Sequence, residues 1–540
     1  MIFNVNLKSD YSGRKRALLL SLIIPGSGQI YRRRISGLFF ILFEILLILF
    51  LVFIGKSDIY GNGLIIAGFL IFHIISAADA FAGPHRLHAP CRQACPARIN
   101  VPAYTGLIAD RRFEEAKAVI KRRMPFASVC GTICNAPCEV KCIRSGYDSS
   151  VMIMNLKKTT AEYEESITLP PLSEPRRRAA IVGAGPGGLS LAHFLSRLNI
   201  HSTVFEKESE PGGLLRYGIP SFRIDILDIL MDIENILESE LIELHTDTEV
   251  GKDISMDEIE KDFDYTVLAS GNNQYVCPDR NIMPQGNIYP GLLFLRMIAE
   301  DNIPEIGRNA GIIGGGNVAM DVARSLVRLG ARTTVFYRNS AECMKASEEE
   351  IEEAIEEGVS IKAMHSVESV DNSSGALVVS FRDKTQDRTV DYELSSLFYA
   401  TGQEMTLDYC KRDISPKGGF KTNMPNVFIL RDSGTIVETV RNAQIIASHI
   451  NRKVRPFSSL LFNWFEKIDY SPDLRKIPGG AFNYSRPKQV PRIDLINMDI
   501  EDRKNSFFKT KRDLTSEESV SQAKRCLRCH LKTRLPFDSD

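Results

Sequence analysis

The stretch Ala179–Lys207, AAIVGAGPGGLSLAHFLSRLNIHSTVFEK, leaves the chain little choice of local fold. A short apolar strand, Ala179–Val182, runs into Gly183, Gly185 and Gly188, the three glycines of G-x-G-x-x-G. A helical pattern follows, with Leu189, Leu191, Phe194, Leu195 and Leu198 on its apolar face. A second strand, Ser202–Phe205, ends on Glu206. Glycines at this spacing allow a tight turn and a close backbone approach to a pyrophosphate at the positive end of a helix dipole. An acid about 20 residues on is placed to accept bonds from an adenosine ribose. Strand, turn, helix, strand and acid together predict a dinucleotide site, where the glycines alone would be a weak signal.

The chain has 540 residues, room for about three to four domains. Lys+Arg and Asp+Glu both total 67, so the net charge is zero and nothing favours a nucleic-acid partner. Of the 11 cysteines, most fall in close C-x-x-C or C-x-x-x-C spacings, which in a non-secreted chain argue for metal ligation over disulfides.

Residues 1–84 differ in composition from the rest. Ile35–Ile54 carries one charge, Glu44, and is long enough to cross a bilayer. Leu64–Ala82 is a second, weaker span containing His73. Arg14-Lys15-Arg16 and Arg32-Arg33-Arg34 precede the first span, whereas the turn between the spans holds only Lys56. The positive-inside rule predicts a transmembrane helical hairpin with both ends in the cytoplasm. That would hold the soluble domains at the cytoplasmic face of the inner membrane, with Glu44 and His73 at similar depth. The stretch PGSGQIYRRRISGLFF also resembles small two-helix membrane modules with a P-G-x-G-Q-x-Y motif.

Residues 85–165 hold Cys91-x3-Cys95-Pro and Cys130-x3-Cys134-x3-Cys138-x3-Cys142, separated by a helical basic stretch, Tyr104–Lys121. These spacings suit iron–sulfur clusters better than zinc, whose sites pair two short units across a longer gap. Cys526-Leu-Arg-Cys529 supplies a further pair near the C-terminus, which brings the thiols to the number that two 4Fe–4S clusters need.

Here the segments PCRQACPARINVPAY, SVCGTICNAPCEVKC, GAGPGGLSLA, GGLLRYGIPSFRI and GGGNVAMDVARSLVRLGA resemble the small subunit of glutamate synthase. They are also similar to the N-terminal half of dihydropyrimidine dehydrogenase. The resemblance implies an α/β protein with two Rossmann-like domains, the NAD(P) domain inserted in the FAD domain, behind an α-helical iron–sulfur domain. It divides the chain into 1–84 (membrane anchor), 85–165 (two clusters), 176–304 and 401–455 (the two halves of the FAD domain), 305–400 (NAD(P)H) and 456–540 (an extension bringing the C-x-x-C pair). It also implies that Cys91, Cys142, Cys526 and Cys529 hold one cluster. It gives Cys95, Cys134 and Cys138 to the other, whose fourth place is open to Cys130, a cysteine that not every member of the family carries. Some relatives use Gln or Glu as a ligand where this chain has Lys157, and lysine is a poor ligand when protonated.

For FAD, the resemblance points to Gly183, Gly185, Gly188, Glu206, Gly213, Leu214 and Asp432, with Arg431 standing where relatives usually have glycine. A second glycine fingerprint, Gly314-Gly315-Gly316-Asn317-Val318, follows a strand Gly311–Ile313 and precedes a strand Thr333–Tyr337. That strand leads into Arg338, and an arginine there can meet the 2′-phosphate of NADPH. Relatives often have two arginines in a row, whereas Asn339 stands second here, so NADH is the alternative. Leu397–Gln403 resembles the strand returning to the FAD domain.

The helix SEEEIEEAIEEG, Ser347–Gly358, reads as a solvated acidic face in preference to a docking site. Thr515-x-x-Glu518 is a capping box opening the helix that delivers Cys526. Taken together, these features predict a membrane-anchored oxidoreductase. It would pass electrons from NAD(P)H through FAD and two clusters to an electron-acceptor protein or catalytic subunit. The rival is a membrane-tethered flavin-binding sensor or assembly factor with little turnover.

Overall fold

The computed structural model describes His73, residues 89–163, 177–454 and 490–529, with short interruptions at 273, 278–285, 373–376, 412–413, 433, 497 and 528. Contacts divide the chain into two units, and nearly all described residues belong to the larger, Pro90–Phe462 with Ser471–Leu527. The two candidate membrane spans lie outside the described residues, His73 excepted. Among the described residues no helix is long and apolar enough to cross a membrane.

The larger unit opens with helices α1 (Pro90–Ala94), α2 (Val101–Ala109), α3 (Phe113–Lys121), α4 (Ala127–Thr132), α5 (Pro137–Val140) and α6 (Ile153–Thr159). The basic helical stretch is thus two helices, broken at Asp110–Arg112 where Arg111 takes φ +61°. Tyr104, Leu107, Ile108, Phe126, Val129 and Leu156 fill the helical core, which continues into that of the first sheet domain. Its seam includes Asp232, whose carboxylate accepts from the amides of Ser128 (3.2 Å) and Val129 (3.0 Å) at the start of α4. Burial still lifts the Asp232 pKa to about 7, against those amides.

Two five-stranded parallel sheets follow. The first uses β1 (Arg178–Val182), β2 (His201–Phe205), β3 (Ile242–His245), β4 (Tyr265–Leu268) and, after a long excursion, β15 (Val427–Ile429). Its order is β15-β4-β1-β2-β3. A two-residue strand, β5 (Gln274–Tyr275), leaves it. The second sheet takes β6 (Ile288–Pro290), β7 (Asn309–Ile313), β8 (Arg332–Phe336), β9 (Ser360–Lys362) and β13 (Ser396–Tyr399) in the order β6-β13-β7-β8-β9. Between β9 and β13, an antiparallel meander runs β10 (His365–Asp371), β11 (Leu377–Asp383) and β12 (Arg388–Leu394).

One boundary changes here. Within Leu397–Gln403, the residues up to Tyr399 belong to β13, which pairs in parallel with β7 and β6 inside the second sheet, in keeping with its place in 305–400. The return is made by β14 (Gln403–Glu404), which pairs antiparallel with β5. The second sheet, however, starts at Ile288, ahead of residue 305.

The acidic helix, α7 (Glu348–Glu356) with Ser347 as its cap, is not simply a solvated face. Glu357, just beyond its last turn, has a fully buried side chain paired with Arg324 (2.8 Å) and Arg328 (2.6 Å). Glu350 and Glu353 also pair with Arg324, at 3.0 and 2.8 Å. The outer face receives the C-terminal segment, with Arg503 on Glu356 (2.9 Å) and Lys511 on Glu349 (2.5 Å). Helical periodicity alone could not separate these glutamates from solvated ones, because their partners come from distant parts of the chain.

Candidate cofactor sites

In an open parallel sheet, ligands bind beyond the strand ends where the strand order reverses. In the first sheet that point is β1, with β4 on one side and β2 on the other. Gly183 follows it, and the helix Pro186–Ser196 starts from Gly185 as N-cap. A Cβ on Gly188 would overlap the carbonyl oxygen of Gly183, so no larger residue lets the helix sit this close to the strand. Around Gly185 there is nothing within 4 Å of where a Cβ would stand, which leaves the helix N-terminus open to a phosphate.

Glu206 follows β2 directly and is buried. Its carboxylate accepts from the amides of Ala184 (2.6 Å) and Glu208 (3.1 Å), which holds it against the glycine turn. Gly213, at φ +53°, would bring a Cβ within 3.0 Å of the Gly185 Cα, so the Gly212–Gly213 loop folds directly over that turn. Leu214 is exposed beside it. Asp432 lies after β15, its carboxylate accepting from Asn272 Nδ2 (3.2 Å), the Gly434 amide (3.0 Å) and Thr439 Oγ1 (3.3 Å). Asn272 and Thr439 escaped the sequence reading. The SGNN run after β4 was the available signal for Asn272.

The second reversal falls at β7, between β13 and β8. Gly314 follows it and Gly316 caps the helix Asn317–Arg328, again with open space beside the cap. Asn317 Oδ1 accepts from the Ser347 amide (3.2 Å), and Val318 packs on the core below. Strand β8 ends at Phe336, one residue earlier than expected, so Tyr337 swings out. Its ring would lie 2.5 Å from a Cβ on Gly315, and its hydroxyl donates to the Cys343 carbonyl (2.7 Å). Arg338 follows with an exposed side chain, and Lys345 donates its amide to the Gly315 carbonyl (2.8 Å). The mouth of this site is therefore basic and open.

The cysteines of the helical region fall into two environments. Cys95, Cys130 and Cys138 are buried and Cys134 half-buried. All four lie within electrostatic reach of Lys157, itself buried, whose Nζ donates to the Cys130 carbonyl (2.8 Å). Burial opposes the charge on Lys157, but the four sulfurs outweigh it and its pKa is raised. Burial also pushes the Cys138 thiol up to about 12. Buried thiols of this kind are inert as nucleophiles and become thiolates when a metal displaces the proton.

Cys142, in contrast, interacts with Cys526, while Cys91 lies near Tyr104, as Cys95 and Cys138 also do. Cys529 belongs to the smaller unit. Among the described residues no three His, Cys, Asp or Glu side chains are grouped to hold a metal ion. A cluster, however, spaces its ligands more widely than a single ion does. A buried ammonium within electrostatic reach of four thiols fits a donor set that carries negative charge when loaded.

Comparison with known proteins agrees with this geometry. The profile of the pyridine nucleotide-disulphide oxidoreductase family matches residues 177–446, half of the chain. That of dihydropyrimidine dehydrogenase domain II, 4Fe-4S cluster, matches residues 85–168. The chain is 29% identical over 547 residues to the NADP(+)-dependent formate dehydrogenase subunit beta of Moorella thermoacetica, covering 88% of this chain and 76% of that one. It is 37% identical over 283 residues to the NADPH-Fe(3+) oxidoreductase subunit beta of Geobacter sulfurreducens, covering 50% of this chain and 42% of that one. It thus spans less than half of the Geobacter protein. A third relative, the NAD-dependent dihydropyrimidine dehydrogenase subunit PreT homolog of Salmonella typhi, is 29% identical over 67% of this chain and 90% of its own length. The chain belongs to the pyridine nucleotide-disulphide oxidoreductase family and is an NAD(P)H-dependent flavin and iron–sulfur oxidoreductase.

Proposed function

We propose that the chain draws electrons from NADPH and delivers them, one at a time, through two 4Fe–4S clusters to a partner subunit or carrier protein. The observation that carries this is the presence, in one unit, of two nucleotide turns, four cysteines within reach of Lys157, and a Cys142–Cys526 contact. Bound FAD would supply the conversion of a hydride into single electrons, so the polypeptide needs no acid or base of its own. Gly185 and Gly316 would offer helix N-termini to the two pyrophosphates, Glu206 would bind the ribose of FAD, and Asp432, held by Asn272 and Thr439, would bind its ribitol. Cys95, Cys130, Cys134 and Cys138 would hold one cluster. Cys91, Cys142 and Cys526 would hold the other, with Cys529 entering on its C-x-x-C spacing alone. The beta-subunit names of two relatives support a partner subunit.

Anaerobic addition of NADPH to the purified protein tests this directly. Rapid bleaching of the flavin followed by slower bleaching of the iron–sulfur absorbance is expected. Slow or absent flavin reduction by either nucleotide would overturn it.

NADPH over NADH rests on Arg338, which follows β8 and is exposed at the mouth of the second turn. Arg338→Ala should raise KM for NADPH roughly tenfold to a hundredfold, the loss of one charge-assisted bond to phosphate. KM for NADH should barely move. Equal losses with both nucleotides would show that Arg338 does not read the 2′-phosphate.

The hairpin of Ile35–Ile54 and Leu64–Ala82 is part of the same proposal and rests on the sequence alone. The full chain should sediment with inner membranes and resist extraction by high salt. Release by salt would count against an integral anchor.

A further inference from the structure

The long C-terminal helix of the flavin domain, Ile436–Val454, buries Val440, Ala443, Ala447 and Ile450. It turns Arg441, Ile445, Ser448 and Arg452 outward, a single stripe at helical spacing. Opposite this stripe stand Arg123 and the turn Cys95-Pro96-Ala97-Arg98, in which the Arg98 amide donates to the Cys95 carbonyl (3.0 Å). Gln444 ties the two walls together by donating to the Arg123 carbonyl (2.7 Å). The result is a cleft of about 230 Å³ with guanidiniums on both sides and Ile445, 38% exposed, between them.

None of Arg98, Arg123, Arg441 and Arg452 pairs with a carboxylate among the described residues, although acids and bases balance over the whole chain. Four like charges converging on one cleft create a local positive field that an anion would relieve. The cleft is smaller than the roughly 300–1,000 Å³ of small-molecule pockets. It is better sized for a few protruding carboxylate side chains. An apolar residue ringed by arginines is also the make-up of a protein interface, and guanidinium forks match carboxylates.

We propose that this groove docks the acidic face of a one-electron carrier protein. The partner's class follows from position. Pro96 and Arg98 line the groove, and Cys95, on the same turn, is a proposed cluster ligand. A redox centre seated here would lie near that cluster, which a merely structural partner would not need. The proposal rests on the proposed function for its redox role.

The test uses the full-length holoprotein and a small acidic 2Fe–2S ferredoxin as probe. Binding is titrated at low and high salt. Turnover is followed from chemically reduced ferredoxin to NADP+: two ferredoxins give one electron each and, with one proton, convert one NADP+ to NADPH. Arg441→Glu with Arg452→Glu should raise both Kd and KM for ferredoxin at least tenfold and flatten their salt dependence. Arg441→Gln with Arg452→Gln should give a smaller loss in the same direction. NADPH oxidation by a neutral quinone should stay unchanged in both variants, which shows that the fold and flavin site are intact.

Unchanged ferredoxin Kd in the Glu variant would overturn the proposal. So would lost binding to anionic phospholipid vesicles with ferredoxin binding retained, an outcome that would reassign the groove to a lipid surface. If NADPH failed to reduce the flavin of the unaltered protein, the proposed function would fall, and the Kd comparison would still decide the groove.

Discussion

Glu357→Ala should destabilise the nucleotide-binding half of the molecule by about 3–5 kcal/mol, the range for removing one partner from a buried ion pair. The side chains of Glu357 and Arg328 are fully buried and that of Arg324 nearly so. One carboxylate oxygen of Glu357 accepts from Arg324 Nε (3.0 Å) and Arg328 Nη1 (2.6 Å). The other accepts from Arg324 Nη2 (2.8 Å) and Arg328 Nη2 (3.1 Å). Both guanidiniums also sit over the Phe222 ring, at 4.8 and 3.8 Å, so neither can turn to water without breaking a packed contact. Removing the carboxylate leaves Arg328 with only carbonyl acceptors, Arg324 and Ser506.

Glu352→Ala, exposed on the same helix, should change stability by no more than about 0.5 kcal/mol. Denaturant unfolding of the two variants makes the comparison. Equal effects would mean that water replaces Glu357 at no cost. The pH dependence has a definite sign. Burial raises the Glu357 pKa, but the bonds from Arg328 and Arg324 outweigh it, and the folded value is lowered. Its contribution is therefore full above the unfolded carboxylate pKa, about 4.3, and disappears as pH falls through the folded value.

What the residues alone disclosed follows from where the physics is local. Gly183, Gly185 and Gly188 are dictated by a turn and a close helix–strand approach within a few residues, so the pattern could be read directly. Thr515 and Glu518 form the expected capping box for the same reason. The acidic helix was misjudged because Arg324, Arg328, Arg503 and Lys511 approach it from other segments, and an amphipathic pattern records only that a face is polar. That β6 (Ile288–Pro290) joins the second sheet ahead of residue 305 could not be read either, because a short apolar strand carries no mark of its neighbours, which are set by the crossover connections. Nor could cysteine spacing disclose that Lys157 lies within reach of four sulfurs. Its position beside α4, across from Cys130, depends on the packing of two helices.

Replacing Cys526 and Cys529 together by serine should remove about four irons, one cluster's worth, and leave hydride transfer to the flavin intact. The way the tail is held makes this specific. The helix Ser516–Ala523 rests on the N-terminal helices, with Thr159 and Ser519 hydroxyls 2.7 Å apart and Arg111 paired with Glu517 (2.5 Å). Arg525, beside Cys526, is wholly buried. It donates to the carbonyls of Ser149 (2.8 Å) and Ser150 (3.0 Å) and to Asp148 (3.2 Å), while its own carbonyl accepts from Arg144 (2.7 Å). Those residues lie within eight positions of Cys142, so the contacts that anchor the tail also bring Cys526 to Cys142. Arg525→Met should therefore lose iron as well, although it removes no thiol. Cys130→Ser should strip the other cluster and leave the first. If the double serine variant keeps its full iron, or if Cys130→Ser and the double variant abolish the same spectroscopic signal, the two thiol environments do not correspond to two clusters.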